Sequence, residues 1–206
     1  MKDDPDPHST TTVVCRTRDY AIDRPKIQAV AQLVLGRLGV GELDLTVSLV
    51  GSRAIRTLNR DFRGIDRATD VLSFPQLEWK KPVTVRAPKR VRASAARRAV
   101  VTRGPEVPSP LGDVVISLPE AERNARKIGQ PLAREVCFLL VHGILHLCGH
   151  DHMVPAEEHR MLTEQRKLMS LLEARRGAAR ALWTGSVKRG KRPRKATARS
   201  AGKARR

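Results

Sequence analysis

The sequence predicts an α/β fold in which one small mixed sheet of about four strands packs with helices. Short segments of β-branched or alternating apolar residues lie between longer segments whose apolar residues recur at helical spacing. Glycine and proline residues mark most of the boundaries between these segments. The chain of 206 residues is long enough for one domain of about 150 residues with additional segments.

Each element follows from its apolar pattern and from the residues at its ends. In chain order, we predict a strand at 12–17, a helix from Pro25 to Leu38 that Gly39 ends, a strand at 43–50, a short helix from Ser52 to Leu58, strands at 69–75 and 111–118, a helix from Pro119 to Gly129, a helix that Pro131 opens and a final helix after Pro155. The hydroxyl of Ser52 is expected to cap its helix. Residues 1–11 are charged and contain proline, and we expect them to be disordered.

The net charge of +19 is concentrated in two segments of the chain. Residues 80–104 contain nine Lys or Arg and no acid, and residues 174–206 contain thirteen and no acid. Segments of this composition cannot bury enough apolar surface to fold alone. The sequence therefore predicts an ordered domain at 12–175, interrupted by a basic insertion at 80–104 and followed by a basic disordered tail at 176–206.

The two basic segments are expected to contact nucleic-acid phosphate, because the release of counterions favours such binding. A solvated tail without a specific partner is the alternative. A membrane surface is disfavoured because neither segment has a wide apolar face. The three cysteines form no C-x-x-C pair, and no secretory signal or long apolar run is present, so we expect a cytoplasmic protein.

Five of the six histidines lie between positions 142 and 159, and three of them have the spacing of metal ligands. His142 and His146 are four residues apart in an apolar segment, so on a helix their imidazoles project from the same face. Gly149 is expected to end this helix, which allows the chain to turn and bring His152 to the same ion. The sequence thus predicts a metal site with these three histidines as ligands.

Three imidazoles leave one position of a tetrahedral zinc ion free, which is typical of catalytic rather than structural zinc sites. One Zn2+ ion is therefore the expected cofactor, and imidazole also suits nickel, copper and iron. In the related zincin motif His-Glu-x-x-His, the glutamate is the general base, but here Gly143 occupies that position. Activation of water must then come from the metal or from a residue elsewhere in the chain.

Besides the three histidines, two carboxylates and one thiol bear on this site. Asp113 and Asp151 are the carboxylates best placed by sequence to lie near the metal. Asp151 either fixes the tautomer of a bound imidazole or occupies a turn. Cys148 is expected to fill apolar space, because a helix would direct it away from the ligand face.

Three segments of the chain resemble motifs of the YbeY family of metal-dependent endoribonucleases. Residues 142–152, H-G-I-L-H-L-C-G-H-D-H, resemble the family motif H-G-x-L-H-L-x-G-[Y/H]-D-H. Residues 59–75, N-R-D-F-R-G-I-D-R-A-T-D-V-L-S-F-P, resemble its N-x-x-[FY]-R-G-x-D-x-x-T-[DN]-V-L-S-F-P block, and residues 111–117 resemble its L-G-D-I-x-I-S strand. His150 departs from the tyrosine that is more common in the family and introduces a fourth imidazole near the expected metal.

The resemblance implies the family's fold, with a zincin-like metal-bearing helix at its centre, and a single-strand-specific endoribonuclease activity. It also implies ribosomal RNA as the substrate, in maturation of the 16S rRNA 3′ end and in ribosome quality control, and the small ribosomal subunit as a partner. Arg63 matches a functional arginine of the active-site cleft, where its planar cation suits the scissile phosphate. By residue type alone, Arg63 would be an exposed surface arginine.

Two other functions fit parts of the sequence. A metallopeptidase or another metallohydrolase is consistent with the zincin-like histidine spacing, but Gly143 removes the usual base. A non-enzymatic ribosome-assembly factor would use the metal for structure and the basic segments to bind rRNA. Neither the sequence nor the resemblance decides whether water or the RNA 2′-hydroxyl is the nucleophile.

Overall fold

The computed structural model of the protein describes residues 10–85, 109–174 and 186–189. Its elements are β1 (Thr11–Cys15), β2 (Tyr20–Ile22), α1 (Arg24–Leu38), β3 (Asp44–Val50), α2 (Ser52–Arg63), β4 (Val71–Pro75), β5 (Pro110–Ser117), α3 (Leu118–Lys127), α4 (Leu132–Leu147), α5 (Pro155–Glu173) and β6 (Val187–Arg189). Of the residues 1–11 predicted to be disordered, 1–9 lie outside the described residues, but the prediction is wrong for Thr11, which begins β1 and is 3% exposed. Most of the two basic segments also lies outside the described residues.

The main sheet has four strands in the order β1-β3-β5-β4. Strands β1, β3 and β5 are parallel to one another, and β4 runs antiparallel to β5 at one edge. The predicted mixed α/β sheet is therefore confirmed, and each strand predicted for it is present with ends shifted by up to two residues.

Helices cover both faces of this sheet because its strands carry apolar residues on both sides. Val114 and Ile116 of β5 belong to the larger core cluster, together with buried residues of α1, α4 and α5. Val115 points to the opposite face, where it packs in a smaller cluster with Ile55 of α2 and Leu72 of β4. Helix α4 therefore lies in the larger core, against the face of β5 that is opposite to α2.

No single helix among the described residues is long and apolar enough to cross a membrane. Helices α3 and α4 together meet that criterion of length and composition, but their axes are bent by 114°.

Helix α2 differs from its prediction at both ends. The N-cap residue is Gly51, not Ser52, and the Ser52 hydroxyl instead donates a hydrogen bond to Glu120 Oε1 at 2.9 Å. The helix continues past Leu58 to Arg63 and ends at Gly64, whose φ of 70° suits glycine. The sequence beyond Leu58 is mainly polar and exposed, so apolar periodicity could not mark this last turn.

A second, two-stranded sheet was not predicted. Strand β2 pairs antiparallel with β6, so that Tyr20 is opposite Arg189 and Ile22 is opposite Val187. The prediction of a disordered tail at 176–206 is wrong for residues 186–189, because Val187 is only 3% exposed and packs in the core. The two adjacent buried residues, Ser186 and Val187, are too few to give a periodic signal in a basic segment.

Candidate metal centre

Helix α4 places two imidazoles side by side, one helical turn apart. His142 and His146 lie on the same half-buried face, with their ring centroids 4.7 Å apart. Their Nε2 atoms are 3.1 Å from each other. The predicted i, i+4 arrangement is confirmed.

The chain reverses after α4 and brings the third imidazole to the same point. Gly149 has a φ of 83°, and the backbone N–H groups of Gly149 and His150 donate to carbonyl groups in the last turn of α4. The ring centroid of His152 then lies 5.8 Å from that of His142 and 5.0 Å from that of His146. One nitrogen of each imidazole lies within 4.8 Å of the other two, as metal ligands require.

Hydrogen bonds at the Nδ1 atoms leave two Nε2 atoms of this triad free to bind a cation. His142 Nδ1 lies 3.2 Å from Gln165 Oε1, and His146 Nδ1 lies 2.9 Å from the carbonyl oxygen of His150. Both partners are acceptors, so each Nδ1 carries the proton and each Nε2 presents a lone pair. Two lone pairs 3.1 Å apart repel unless a cation lies between them.

The donor set fits a tetrahedral metal ion. For Zn–N bonds of about 2.0–2.1 Å, tetrahedral geometry places two ligand nitrogens about 3.3 Å apart, close to the observed separation. Burial lowers the pKa of His142, and it lowers the pKa of His146 to about 4. The two imidazoles are therefore neutral near pH 7, which is the form that binds metals.

His150 does not join the three ligands. Its side chain is buried, with Nε2 2.6 Å from the carbonyl oxygen of Val83, while its own backbone carbonyl accepts from His146. The imidazole of His150, expected near the metal from the sequence, instead anchors its loop to Val83. The backbone carbonyl of the same residue orients the ring of His146.

The two aspartates expected near the metal have structural roles in this arrangement. The Oδ1 of Asp151 accepts a hydrogen bond from the backbone N–H of His152 at 2.7 Å, which is the turn interpretation. Asp113 is joined to Gln76 at 3.2 Å and is not part of the three-histidine group. Cys148 is fully buried in the core, as its predicted role as an apolar filler requires, and burial raises its pKa to about 12.

The glycine between the ligands is required by close packing against the sheet. A Cβ atom at Gly143 would lie 2.6 Å from Val114 Cγ1 and 3.2 Å from Ser73 Oγ. The Ser73 hydroxyl also donates to the Gly143 carbonyl at 3.2 Å. A glutamate in this position, as in zincins, has no room here, so the usual helix-borne base is excluded sterically.

No contact among the described residues joins Arg63 to the three histidines. It is the last residue of α2, its side chain is exposed, and the described residues provide it with no hydrogen bond or ion pair. The preceding Phe62 packs edge-to-face on Phe74 of β4, with ring centroids 5.1 Å apart. Because β4 also contacts Gly143 through Ser73, this edge strand is the element shared by the Arg63 and histidine regions.

Gln165 of α5 is a site residue that sequence reasoning missed. It is 2% exposed, and its Nε2 has no hydrogen-bond partner among the described residues, an uncommon state for a buried amide. A polar residue between Leu162 and Leu168, on the helix face that carries Met161 and Met169, was the signal available in the sequence.

The segment that follows β4 contacts the end of α4. Sequence patterns did not predict this contact. Trp79 Nε1 donates to the Leu147 carbonyl at 2.7 Å, and its side chain lies against Gly149. The N–H of Val83 donates to the Cys148 carbonyl at 3.0 Å, and that of Val85 donates to Glu164 at 2.6 Å. Residues 80–85 of the predicted basic insertion are thus part of the folded domain, and residues 86–104 lie outside the described residues.

Comparison with known proteins identifies one family. The model of a family described as "Endoribonuclease YbeY" matches residues 13–173. A protein of that name from Brevibacillus brevis is 40% identical over 126 residues, which are 61% of this chain and 72% of the relative. A namesake from Geobacter sulfurreducens is 34% identical over 160 residues, 77% of this chain and 92% of the relative.

Two further matches differ in coverage. An "Endoribonuclease YbeY" from Myxococcus xanthus is 40% identical over 139 residues, which are 68% of this chain and 40% of that relative. A Thermotoga maritima protein solved in solution has a TM-score of 0.49 and 22% identity, and the match covers 78% of this chain and 87% of that one.

Replacement of Gly143 by alanine should destabilise the protein. We expect a loss of about 1–3 kcal/mol in the free energy of unfolding, because the added methyl group overpacks the stiff Val114 side chain. Gly36→Ala is the matched control, since Gly36 also lies inside a helix but has nothing within 4 Å of the added Cβ. That variant should gain up to about 1 kcal/mol. Urea denaturation measures both, and equal stability of Gly143→Ala and the wild type would refute the close contact.

Replacement of Gln165 by methionine should weaken metal binding. The variant keeps the length of the side chain but removes the acceptor at His142 Nδ1, so we expect metal affinity to fall about 10–100-fold. Gln165→Glu retains an acceptor and should bind at least as tightly as the wild type. Competition with a chromophoric zinc chelator measures the affinities. If methionine and glutamate variants bind zinc equally, Gln165 does not orient His142.

Proposed function

Since the chain belongs to the endoribonuclease YbeY family, we propose that it is a zinc-dependent endoribonuclease whose metal is held by His142, His146 and His152. The observation that carries this proposal is the convergence of three imidazole nitrogens within 4.8 Å, with the two Nδ1 atoms of the α4 histidines hydrogen-bonded to acceptors. Zinc is favoured over other divalent ions by an all-nitrogen set of three ligands with one open position.

The residues of the chain prepare the site for phosphodiester chemistry. Gln165 and the carbonyl of His150 fix the imidazole tautomers, and Trp79 and Val83 hold the loop that carries His152. A zinc ion bound there would lower the pKa of a coordinated water molecule and polarise a phosphoryl oxygen.

Arg63 is proposed to bind the scissile phosphate. Its guanidinium group is exposed and unpaired among the described residues, so its N–H donors are free for a phosphate that lies along the β4 edge. As negative charge develops on the phosphate oxygens, these donors would stabilise it more strongly than in the ground state.

We propose single-stranded ribosomal RNA as the substrate, with the small ribosomal subunit as the partner in cytoplasmic maturation of the 16S rRNA 3′ end and in ribosome quality control. The names of the relatives support an RNA substrate. The excess of basic residues also favours a polyanion over a peptide. A metallopeptidase of the zincin type is disfavoured because Gly143 leaves no space for its general base.

Measurements of RNA cleavage and of metal content should distinguish metal binding by His142 from phosphate binding by Arg63. We expect His142→Ala to lose both the metal and the cleavage of a single-stranded RNA. Arg63→Ala should keep the metal and cleave about 10²–10³-fold more slowly. Arg60→Ala, in the same helix and also exposed, is the matched control and should cleave at a rate close to that of the wild type. Elemental analysis and gel-resolved cleavage give both readouts.

Other outcomes would favour the rival functions. Zinc-loaded wild type that leaves single-stranded RNA intact but cleaves a peptide would favour a metallopeptidase. Normal RNA processing by Arg63→Ala, together with loss of processing when the basic tail is neutralised, would favour a non-enzymatic assembly factor.

A further inference from the structure

Strand β6 docks a basic segment that lies beyond the part of the chain matched by the family. The match ends at residue 173, whereas β6 begins at Val187 and completes the small sheet with β2. The Ser186 carbonyl accepts from the N–H of Asp23 at 2.8 Å, and the Val187 side chain is almost fully buried. The position of Arg189 is therefore fixed on the domain surface.

One carboxylate of α3 joins both strands of this small sheet. Glu122 Oε2 accepts a hydrogen bond from the Tyr20 hydroxyl at 3.0 Å, and its Oε1 accepts from Arg189 at 3.1 Å and from Arg126 at 2.7 Å. Burial opposes the ionisation of Glu122, but Tyr20 and the two guanidinium groups outweigh that effect and lower its pKa. Burial and the Glu122 carboxylate raise the pKa of Tyr20 to about 12, so its hydroxyl remains a donor.

On this surface of α3, the acidic side chains are largely buried and their basic partners are exposed. The Glu120 and Glu122 side chains are 16% and 14% exposed, whereas their partners Arg123 and Arg126 are 60% and 68% exposed. A guanidinium group has five N–H donors, so one ion pair leaves donors that face solvent. The exposed groups of this face are therefore mainly guanidinium groups, with Asp19 as one exposed acid beside them.

Two further basic residues are exposed beside this face. Lys127 at the end of α3 lies one helical turn after Arg123, and Arg189 belongs to β6. The side chains of Arg123, Arg126 and Arg189 line a cleft of about 310 Å³ together with Asp19, Tyr20, Ser52 and Glu122. Residues 190–206 follow β6 directly and contain eight more Lys or Arg and no acid.

Helix α3 also connects this surface to the histidine site. Asn124 Nδ2 donates to Asp70 Oδ2 at 3.0 Å, at the start of β4. The Asp70 carboxylate is close enough to influence the pKa of His142. Asn124 therefore joins α3 to the start of β4, the strand whose Ser73 contacts Gly143 between the two histidines of α4.

We propose that Arg123, Arg126, Lys127 and Arg189 form an RNA phosphate-binding surface, and that β6 docking fixes the start of the basic tail beside it. The proposal rests on the proposed endoribonuclease function for the choice of RNA as the partner. It assigns the recognition of RNA backbone flanking the cleavage site to this surface, separately from the three-histidine centre. Docking raises the effective concentration of the tail near RNA that is already bound.

The salt dependence of RNA binding tests the surface directly. Full-length Arg123→Gln/Arg126→Gln should bind a labelled, cleavage-resistant 2′-O-methyl single-stranded RNA less tightly than the wild type, with a salt slope smaller by about 0.7 for each lost phosphate contact. The control Arg37→Gln/Arg56→Gln removes the same charge from α1 and α2 and should leave the slope unchanged. Fluorescence anisotropy over a range of NaCl concentrations gives the slopes.

A second variant tests docking without changing the charge. Val187→Asn should release β6 from the core and weaken RNA binding several-fold, although every Lys and Arg remains. Circular dichroism checks that the helices persist. Truncation after Arg189 should remove the contacts of the tail with RNA and keep β6 docked. Truncation after residue 175 should also lower the melting temperature, because Val187 no longer covers the core.

Equal salt slopes and affinities for the two double variants would overturn the proposal. So would vesicles of anionic lipid that bind in an Arg123- and Arg126-dependent manner while RNA binding is unaffected, which would assign the surface to membranes. Failure of the proposed endoribonuclease function would be a different result, namely that the zinc-loaded wild type does not cleave RNA. The anisotropy measurement requires no cleavage.

Discussion

The two Nε2 atoms of His142 and His146, held 3.1 Å apart by one turn of α4, are the constraint on which the site depends. Each ring is fixed from behind, by Gln165 and by the His150 carbonyl, so neither lone pair can turn away. Such a site has an unfavourable electrostatic interaction that a bound cation removes. The surrounding fold maintains this arrangement because α4 is packed against the sheet and its end is tied down by Trp79.

Close approach of α4 to the sheet has a chemical consequence. Gly143 allows the helix backbone to lie against Val114 and Ser73, which brings β4 next to the ligands. The same contact excludes the glutamate that serves zincins as a base. With this geometry, a bound metal ion and groups outside the ligand helix would have to supply the chemistry, and an exposed arginine such as Arg63 would supply charge rather than proton transfer. This combination suits a phosphodiester better than a peptide bond.

Local patterns predicted what depends on neighbouring residues in the chain. Helical spacing placed His142 and His146 on one face, Gly149 explained the return of His152, and alternating apolar residues placed the strands. Long-range partners were not predicted. The position of Gln165 on the apolar face of α5 marks it as unusual, but the sequence does not indicate that its amide reaches an imidazole 23 residues away. Similarly, β6 is short and lies among basic residues, and Val187 is the one apolar residue that it buries on pairing with β2.

The most direct test is RNA cleavage by the full-length protein after removal and stoichiometric return of the metal. The protein should contain one zinc ion per chain, lose cleavage of single-stranded RNA when the ion is removed by a chelator, and recover it when one equivalent of zinc is restored. Cleavage that persists in protein from which all metal has been removed would contradict the account, because the three imidazoles would then have no part in the reaction.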